Sequence, residues 1–167
     1  MITIFTALYP EAKELIRALS LKKDMTQNHF QVFSDENNQI QIVITGASAI
    51  AAATAVAECS TRREPYSGDF LINYGSCAGR KNIPVGTVSL CNKLTQTVDG
   101  RTFYPDILYR HPFEEAELYS FPAVQDRESF QQFLDKDAGA GDRRKEILVD
   151  MAVSYTHLRA HETLMNL

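Results

Sequence analysis

The sequence predicts an α/β fold with parallel strands, because predicted strands and helices alternate along its first half. Residues 1–7 (MITIFTA) mix β-branched and aromatic side chains, which is typical of a buried strand. Pro10 suits a first helical turn, and apolar residues then recur at helical spacing from Ala12 to Leu19. A further strand, helix and strand follow, so two loops fall at the carboxyl ends of parallel strands, where α/β proteins bind ligands.

The composition predicts one globular domain. Of the 167 residues, 44% are hydrophobic and 23% are charged, which is sufficient for a packed core and argues against disorder. The net charge of -4 gives no basic footprint for nucleic acid or for an acidic membrane surface. Three cysteines (Cys59, Cys77 and Cys91), with no signal segment and no membrane-length apolar run, predict free thiols in a reducing cytoplasm.

A β-hairpin is predicted at residues 29–34 and 39–45, where apolar and polar residues alternate on both sides of an Asp-Glu-Asn-Asn turn. An alanine-rich helix follows from Ser48, a suitable N-cap, to about Cys59, and its small side chains allow close packing on a sheet. Gly46 precedes this helix, but the second and third glycines of a dinucleotide-binding fingerprint are missing. We therefore predict no nicotinamide-binding domain.

The next predicted strand covers residues 70–74. Five small residues follow it directly: Gly75, Ser76, Cys77, Ala78 and Gly79. Glycine permits a positive φ and a close approach of ligand to backbone, so such a turn at a strand's carboxyl end can bind a sugar or an anion. Small residues are also common in tight turns that bind nothing. The local sequence leaves both interpretations open.

The second half of the chain predicts further strands and one helix. A loop that leads into a strand is predicted at residues 83–91, with an extension over residues 94–98 that ends at an Asp99-Gly100 turn. Further strands are predicted at residues 116–124 and 147–149. A helix is predicted at residues 128–136, where three large apolar residues share one face.

Glu11 has two interpretations. An acidic residue in the first turn of a helix complements the positive end of the helix dipole, which is a common structural role. Glu11 also follows a predicted strand directly, at a ligand-binding edge. Position alone does not separate the two.

Several motifs together resemble the purine nucleoside phosphorylase and uridine phosphorylase superfamily. They are Ala7-Leu8 with Glu11, Gly46, residues 73–79 (NYGSCAG), residues 85–88 (VGTV) and residues 148–151 (LVDM), in the order that the superfamily has them. The branch that this chain resembles most is the methylthioadenosine/S-adenosylhomocysteine nucleosidases. The resemblance implies a three-layer phosphorylase-like fold, with a central mixed twisted sheet flanked by helices, that cleaves an N-glycosidic bond through an oxocarbenium-like transition state.

The resemblance also implies residue roles. Glu11 would be catalytic and orient the attacking water. The implied substrate-binding residues are Ala7, Leu8, Gly46, Gly75, Ser76, Cys77, Ala78, Asp150 and Met151. The implied partners are a nucleoside substrate and a second copy of the intact chain as a homodimer, with no cofactor and no metal ion.

Asn73 bears on the nucleophile. Phosphorylases similar to the purine enzymes have an arginine here, two residues before the glycine, because a phosphate dianion needs a fixed cation. An uncharged asparagine favours water, and so a nucleosidase. Two alternatives remain: a phosphorylase that uses Arg80 or Arg17, and a nucleoside-binding domain without catalysis.

The end of the chain has a different character. Residues 153–163 (VSYTHLRAHET) resemble one translated frame of a sequencing-library transposase adapter. We therefore expect a C-terminally incomplete nucleosidase-like domain, residues 1–152, and a non-native tail, residues 153–167. His157 and His161 have the spacing of helical metal ligands, but in adapter-encoded sequence they predict no metal site.

The resemblance implies two groups that the sequence does not supply. A glutamate for the ribose would follow Met151, where this chain has Ala152, and an aspartate that protonates the base would come later. Alanine and glutamate codons share their first base, so we hypothesise that position 152 was glutamate before the adapter. The chain as written is expected to be poorly active or inactive.

Overall fold

The computed structural model of this protein describes residues 1–62, 69–80, 83–107, 109–122, 128–129, 132–133 and 146–150. These residues divide into two compact units between Ser76 and Cys77. Each unit contains a five-stranded sheet with both parallel and antiparallel neighbours. Mixed sheets combined with helices confirm the predicted α/β class.

The first unit follows the predicted order of strands and helices. Its elements are β1 (Ile2–Thr6), α1 (Tyr9–Ala18), β2 (Lys22–Lys23), β3 (Gln31–Ser34), β4 (Ile40–Ile44), α2 (Ala49–Arg62) and β5 (Phe70–Asn73). The strand order is β2-β3-β4-β1-β5, in which β4, β1 and β5 are parallel and the β3–β4 hairpin is antiparallel. The predicted hairpin and the predicted parallel strands are both confirmed.

The two helices of the first unit cover opposite faces of its sheet. Alternate residues of a strand point to opposite faces. Ile4 of β1 packs with Ala12 of α1, whereas its neighbour Phe5 packs with Ala55 and Val56 of α2. The unit is therefore a helix–sheet–helix sandwich, which agrees with the predicted three-layer arrangement.

Both helices begin where the sequence predicts. Leu8 is extended before α1, and Pro10 lies in the first turn. The hydroxyl of Ser48 accepts a hydrogen bond from the amide of Ala51 (3.1 Å), so Ser48 caps α2 as predicted. Helix α2 extends at least to Arg62, beyond the predicted end near Cys59.

The second unit consists of β6 (Ala78–Gly79), β7 (Ser89–Gln96), β8 (Thr102–Phe103), β9 (Glu114–Ser120) and β10 (Glu146–Asp150). The strand order is β6-β10-β9-β7-β8, and β10, β9 and β7 are parallel. Leu94, Ala116, Leu118 and Leu148 form its buried core. The predicted strands within residues 83–98, 116–124 and 147–149 are present with shifted ends.

The small-residue turn after β5 does not have a left-handed backbone at its two glycines. Left-handed backbone occurs at Gly46 (φ +90°) but at neither Gly75 nor Gly79. Ala78 and Gly79 form the short strand β6, antiparallel to β10. The positive φ that glycine permits is therefore not used at Gly75 or Gly79, and pairing with β10 holds Ala78 and Gly79 extended.

Some predictions fall outside the described residues. They are the helix at residues 128–136, apart from its helical positions 128–129 and 132–133, Met151, and the tail at residues 153–167. In the part of the chain that the structure describes, no helix is both long enough and apolar enough to cross a membrane.

Candidate active site

Glu11 lies in the first turn of α1 and closes the start of that helix. The Leu8 amide donates to Oε2 of Glu11 (3.0 Å), and the Glu11 amide donates to the Leu8 carbonyl (3.0 Å). A carboxylate that accepts from the N-cap amide satisfies one of the free donors of a helix start. The structural interpretation of Glu11 is therefore correct as far as it goes.

The same carboxylate also binds the turn after β5. Oε1 of Glu11 accepts hydrogen bonds from the amide (2.9 Å) and the hydroxyl (2.5 Å) of Ser76, 65 residues away in the chain. Oε2 accepts a further bond from the hydroxyl of Thr6, at the end of β1 (3.1 Å). A helix cap alone requires none of these three contacts.

These contacts set the charge of Glu11. Partial burial by itself raises the pKa of this carboxyl, but the hydrogen bonds from Ser76, Leu8 and Thr6 lower it by more, so the net pKa is below the ordinary glutamate value. Glu11 is therefore ionised at neutral pH. It is an acceptor for hydrogen bonds and a weak base.

The other residues predicted around this site in the first unit are adjacent to Glu11 or to its loop. The Gly46 amide donates to the Ala7 carbonyl (3.0 Å), which joins the loops after β4 and β1. A Cβ added at Gly75 would be 3.6 Å from Oε1 of Glu11. An alanine would fit there, but a longer side chain would cover the carboxylate. Ala7, Leu8, Gly46, Gly75 and Ser76 thus converge on one sheet edge.

Cys77, Ala78 and Asp150 belong to the second unit. Ala78 pairs with Val149 across β6 and β10, next to Asp150 at the end of β10. Burial, and secondarily the negative charge of Asp150, raise the pKa of the Cys77 thiol. Cys77 is therefore a neutral thiol at pH 7, which suits a contact residue and not a nucleophile.

Among the described residues, no group of three or more His, Cys, Asp or Glu side chains is placed to hold a metal ion.

Thr6 is a residue of this site that was not predicted from the sequence. It is fully buried, with 0% of its surface exposed, and it contacts Glu11 directly. A signal was present: Ile2, Ile4 and Thr6 share one face of β1, and Thr6 is the polar residue at the carboxyl end of that apolar row.

No family profile and no curated protein matches this chain. Solved structures do match it. One is the 5′-methylthioadenosine/S-adenosylhomocysteine nucleosidase of Neisseria meningitidis in complex with methylthio-immucillin-A, 18% identical, with a TM-score of 0.73 over 96% of this chain and 79% of that one. The corresponding Streptococcus pneumoniae enzyme in complex with 8-aminoadenine is 18% identical, with a TM-score of 0.75 over 97% and 80%.

A third match is a mutant of the futalosine hydrolase of Helicobacter pylori, 9% identical, with a TM-score of 0.72 over 96% of this chain and 83% of that one. At such identities the matches establish the fold. This chain has the fold of the methylthioadenosine/S-adenosylhomocysteine nucleosidases, as the sequence predicted.

Proposed function

We propose that this fold serves to hydrolyse the N-glycosidic bond of a purine nucleoside of the 5′-methylthioadenosine or S-adenosylhomocysteine type. The observation that carries the proposal is the ionised carboxylate of Glu11, which two loops hold at the carboxyl edge of the parallel strands. Nucleosidases of the same fold have been solved with a nucleoside analogue and with an adenine derivative bound, which supports this substrate class.

The proposed reaction requires a water held beside the anomeric carbon. As the C1′–N9 bond breaks, its electron pair goes to the purine, and positive charge develops on the ribose. A water oxygen then bonds to C1′ and loses a proton, while the purine gains one, so the products are the free base and the ribose with a C1′ hydroxyl. An oxocarbenium-like centre reacts with neutral water. Glu11 therefore needs only to orient the water, a task for which a weakly basic, ionised carboxylate suffices.

Neither Asn73 nor Arg17 supplies a cation beside Glu11, which favours water over phosphate as the nucleophile. Asn73 is uncharged and pairs with Phe5 at the end of β5. Arg17 lies in the last turn of α1, at the opposite end of that helix from Glu11. A phosphate dianion beside Glu11 would meet a second negative charge without a cation from either position.

One observation keeps the phosphorylase as a second candidate. The Nε of Arg80, in the second unit, is buried and has no hydrogen-bond partner among the described residues. A buried guanidinium nitrogen without a partner is uncommon, and a phosphate oxygen is a suitable acceptor.

The test is the release of adenine from 5′-methylthioadenosine by the full chain, with Glu11→Gln as the variant. Glutamine keeps the shape of the side chain but removes the negative charge that orients the water. We expect Glu11→Gln to abolish release and to leave nucleoside binding within a fewfold of wild type. Glu14→Gln, on an exposed position of the same helix, is the matched control and should behave like wild type.

Measurable release that is equal in Glu11→Gln and wild type would refute the proposal. Binding of adenine nucleosides with no release by wild type would favour a binding domain instead. Release that needs inorganic phosphate and is lost in Arg80→Ala would favour the phosphorylase.

We also infer that the protein works in a reducing cytoplasm and that its intact form is a homodimer. The three cysteines Cys59, Cys77 and Cys91 are all free, which supports the first inference. The second depends on the resemblance to the nucleosidases and is tested by the mass of the protein in solution.

A further inference from the structure

We propose that Thr6 is a positioning residue for Glu11: its buried hydroxyl fixes Oε2, so that an attacking water can bind only at Oε1. The inference rests on the proposed function, which it deepens by assigning the two oxygens of Glu11 to different tasks.

In the structure, the acceptor sites of the Glu11 carboxylate are all occupied. An ionised carboxylate has about four acceptor sites. In the structure Glu11 accepts four bonds: at Oε1 from the amide and hydroxyl of Ser76, and at Oε2 from the Leu8 amide and the Thr6 hydroxyl. A water that is to be oriented by Glu11 must therefore replace one of these four donors.

Of these four donors, only one is free to move aside for a water. The amides of Leu8 and Ser76 are part of the backbone and cannot rotate away. Thr6 is fully buried, its carbonyl accepts the Thr45 amide (2.8 Å), and a β-branched side chain is stiff at χ1. Ser76 is exposed, and its unbranched side chain can rotate. The Ser76 hydroxyl is therefore the donor that water displaces, and it sits on Oε1.

The hydrogen bond to Glu11 explains why a hydroxyl occurs at position 6. Ile2, Ile4 and Thr6 lie on the face of β1 that α1 covers. A valine would fill the same volume and would also suit a buried strand. A buried hydroxyl is costly unless it is hydrogen-bonded, and its bond to Glu11 is what compensates that cost here.

The experiment compares Thr6→Val, which removes the hydroxyl, with Thr6→Ser, which keeps it. The first readout is the pKa of the Glu11 carboxyl in the full, ligand-free chain, followed by NMR with carbon-13-labelled glutamate and assigned by loss of the signal in Glu11→Gln. We expect this pKa to rise in Thr6→Val and to return towards wild type in Thr6→Ser. Thr3→Val is the matched control, because Thr3 is a buried threonine of the same strand whose hydroxyl contacts Gln41.

The second readout is adenine release. Thr6→Val should lower kcat on the order of tenfold, since the lost bond is to a charged group, with KM within about twofold. Thr6→Ser should recover most of the loss. If Thr6→Val does not fold, Thr6→Ala replaces it, since it also removes the hydroxyl without adding bulk.

The outcomes separate the two proposals. An unchanged Glu11 pKa in Thr6→Val, or an equal loss of kcat in Thr6→Val and Thr6→Ser, would overturn the role of Thr6. A pKa that responds as expected, together with measurable release that does not depend on Glu11, would support the contact between Thr6 and Glu11 and refute the proposed function.

Discussion

Glu11 combines a structural and a chemical task in one carboxylate. Its bond from the Leu8 amide completes the start of α1, and its bonds from Ser76 hold the turn after β5. Each donor stabilises the ionised form, and together they outweigh the effect of burial on the pKa. The residue that is proposed to orient water is therefore also a residue on which the first unit depends.

The stability of the protein should show this dependence on pH. Because the pKa of Glu11 is lower in the folded chain than the ordinary glutamate value of 4.5, Glu11 stabilises the fold above that value and loses its contribution as pH falls through the lowered pKa. Urea unfolding of wild type and Glu11→Gln should give a constant difference in free energy above about pH 5 and a shrinking difference below it. A difference that grows on acidification would contradict the assigned direction of the shift.

At the scale of elements, α2 shows which local signals act. Its alanine-rich face packs on Phe5, Val32 and Val43, so the helix can approach the sheet closely. Its start is fixed by Ser48, whose hydroxyl accepts the Ala51 amide. A second serine, Ser60, donates to the Val56 carbonyl within the helix, an interaction that adds little to a helix already formed.

These two serines make a matched pair. Ser48→Ala should lower the free energy of unfolding by about 1 kcal/mol, because it leaves a helix N-terminal amide without its acceptor. Ser60→Ala should change it by less than about 0.5 kcal/mol, because alanine has the higher helix propensity and no N-terminal donor is lost. Chemical denaturation of both variants measures the contrast. Equal losses would mean that Ser48 does not act as a cap.

At the scale of the whole molecule, the described residues form two units, each with its own sheet and buried core. The sequence predicts one domain over residues 1–152, and this stays a prediction. It has a physical basis, since units of roughly 75 residues with one sheet each are marginal in stability when they fold alone.

Hydrogen exchange tests the single domain. Leu94 is fully buried in the second unit. Leu94→Ala should therefore lower the free energy of unfolding by about 2–5 kcal/mol. If the domain unfolds cooperatively, the amide of Ile42 in β4 of the first unit should lose as much protection as that of Leu118 in β9. Acceleration confined to residues 77–150 would show two independently stable units.

Much of the fold was predictable because its signals are local. A few neighbouring residues are enough to predict the alternation of β3 and β4, the helical spacing in α1 and the cap at Ser48. Helix ends and the extent of β9 were less exact, because capping and pairing partners outside the local window set them. The short strand β6 was not predicted for the same reason, since its pairing partner β10 lies far along the chain.

The sequence by itself determined the α/β class and the order of the elements, since hydrophobic periodicity and residue type are enough for both. Only the tertiary structure decided that Thr6, Glu11 and Ser76 form one hydrogen-bonded group, and that the strands divide between two sheets. Those facts depend on contacts between distant segments, such as Glu11 and Ser76, which are 65 residues apart, and which distant groups meet is decided by strand pairing and packing of the whole chain.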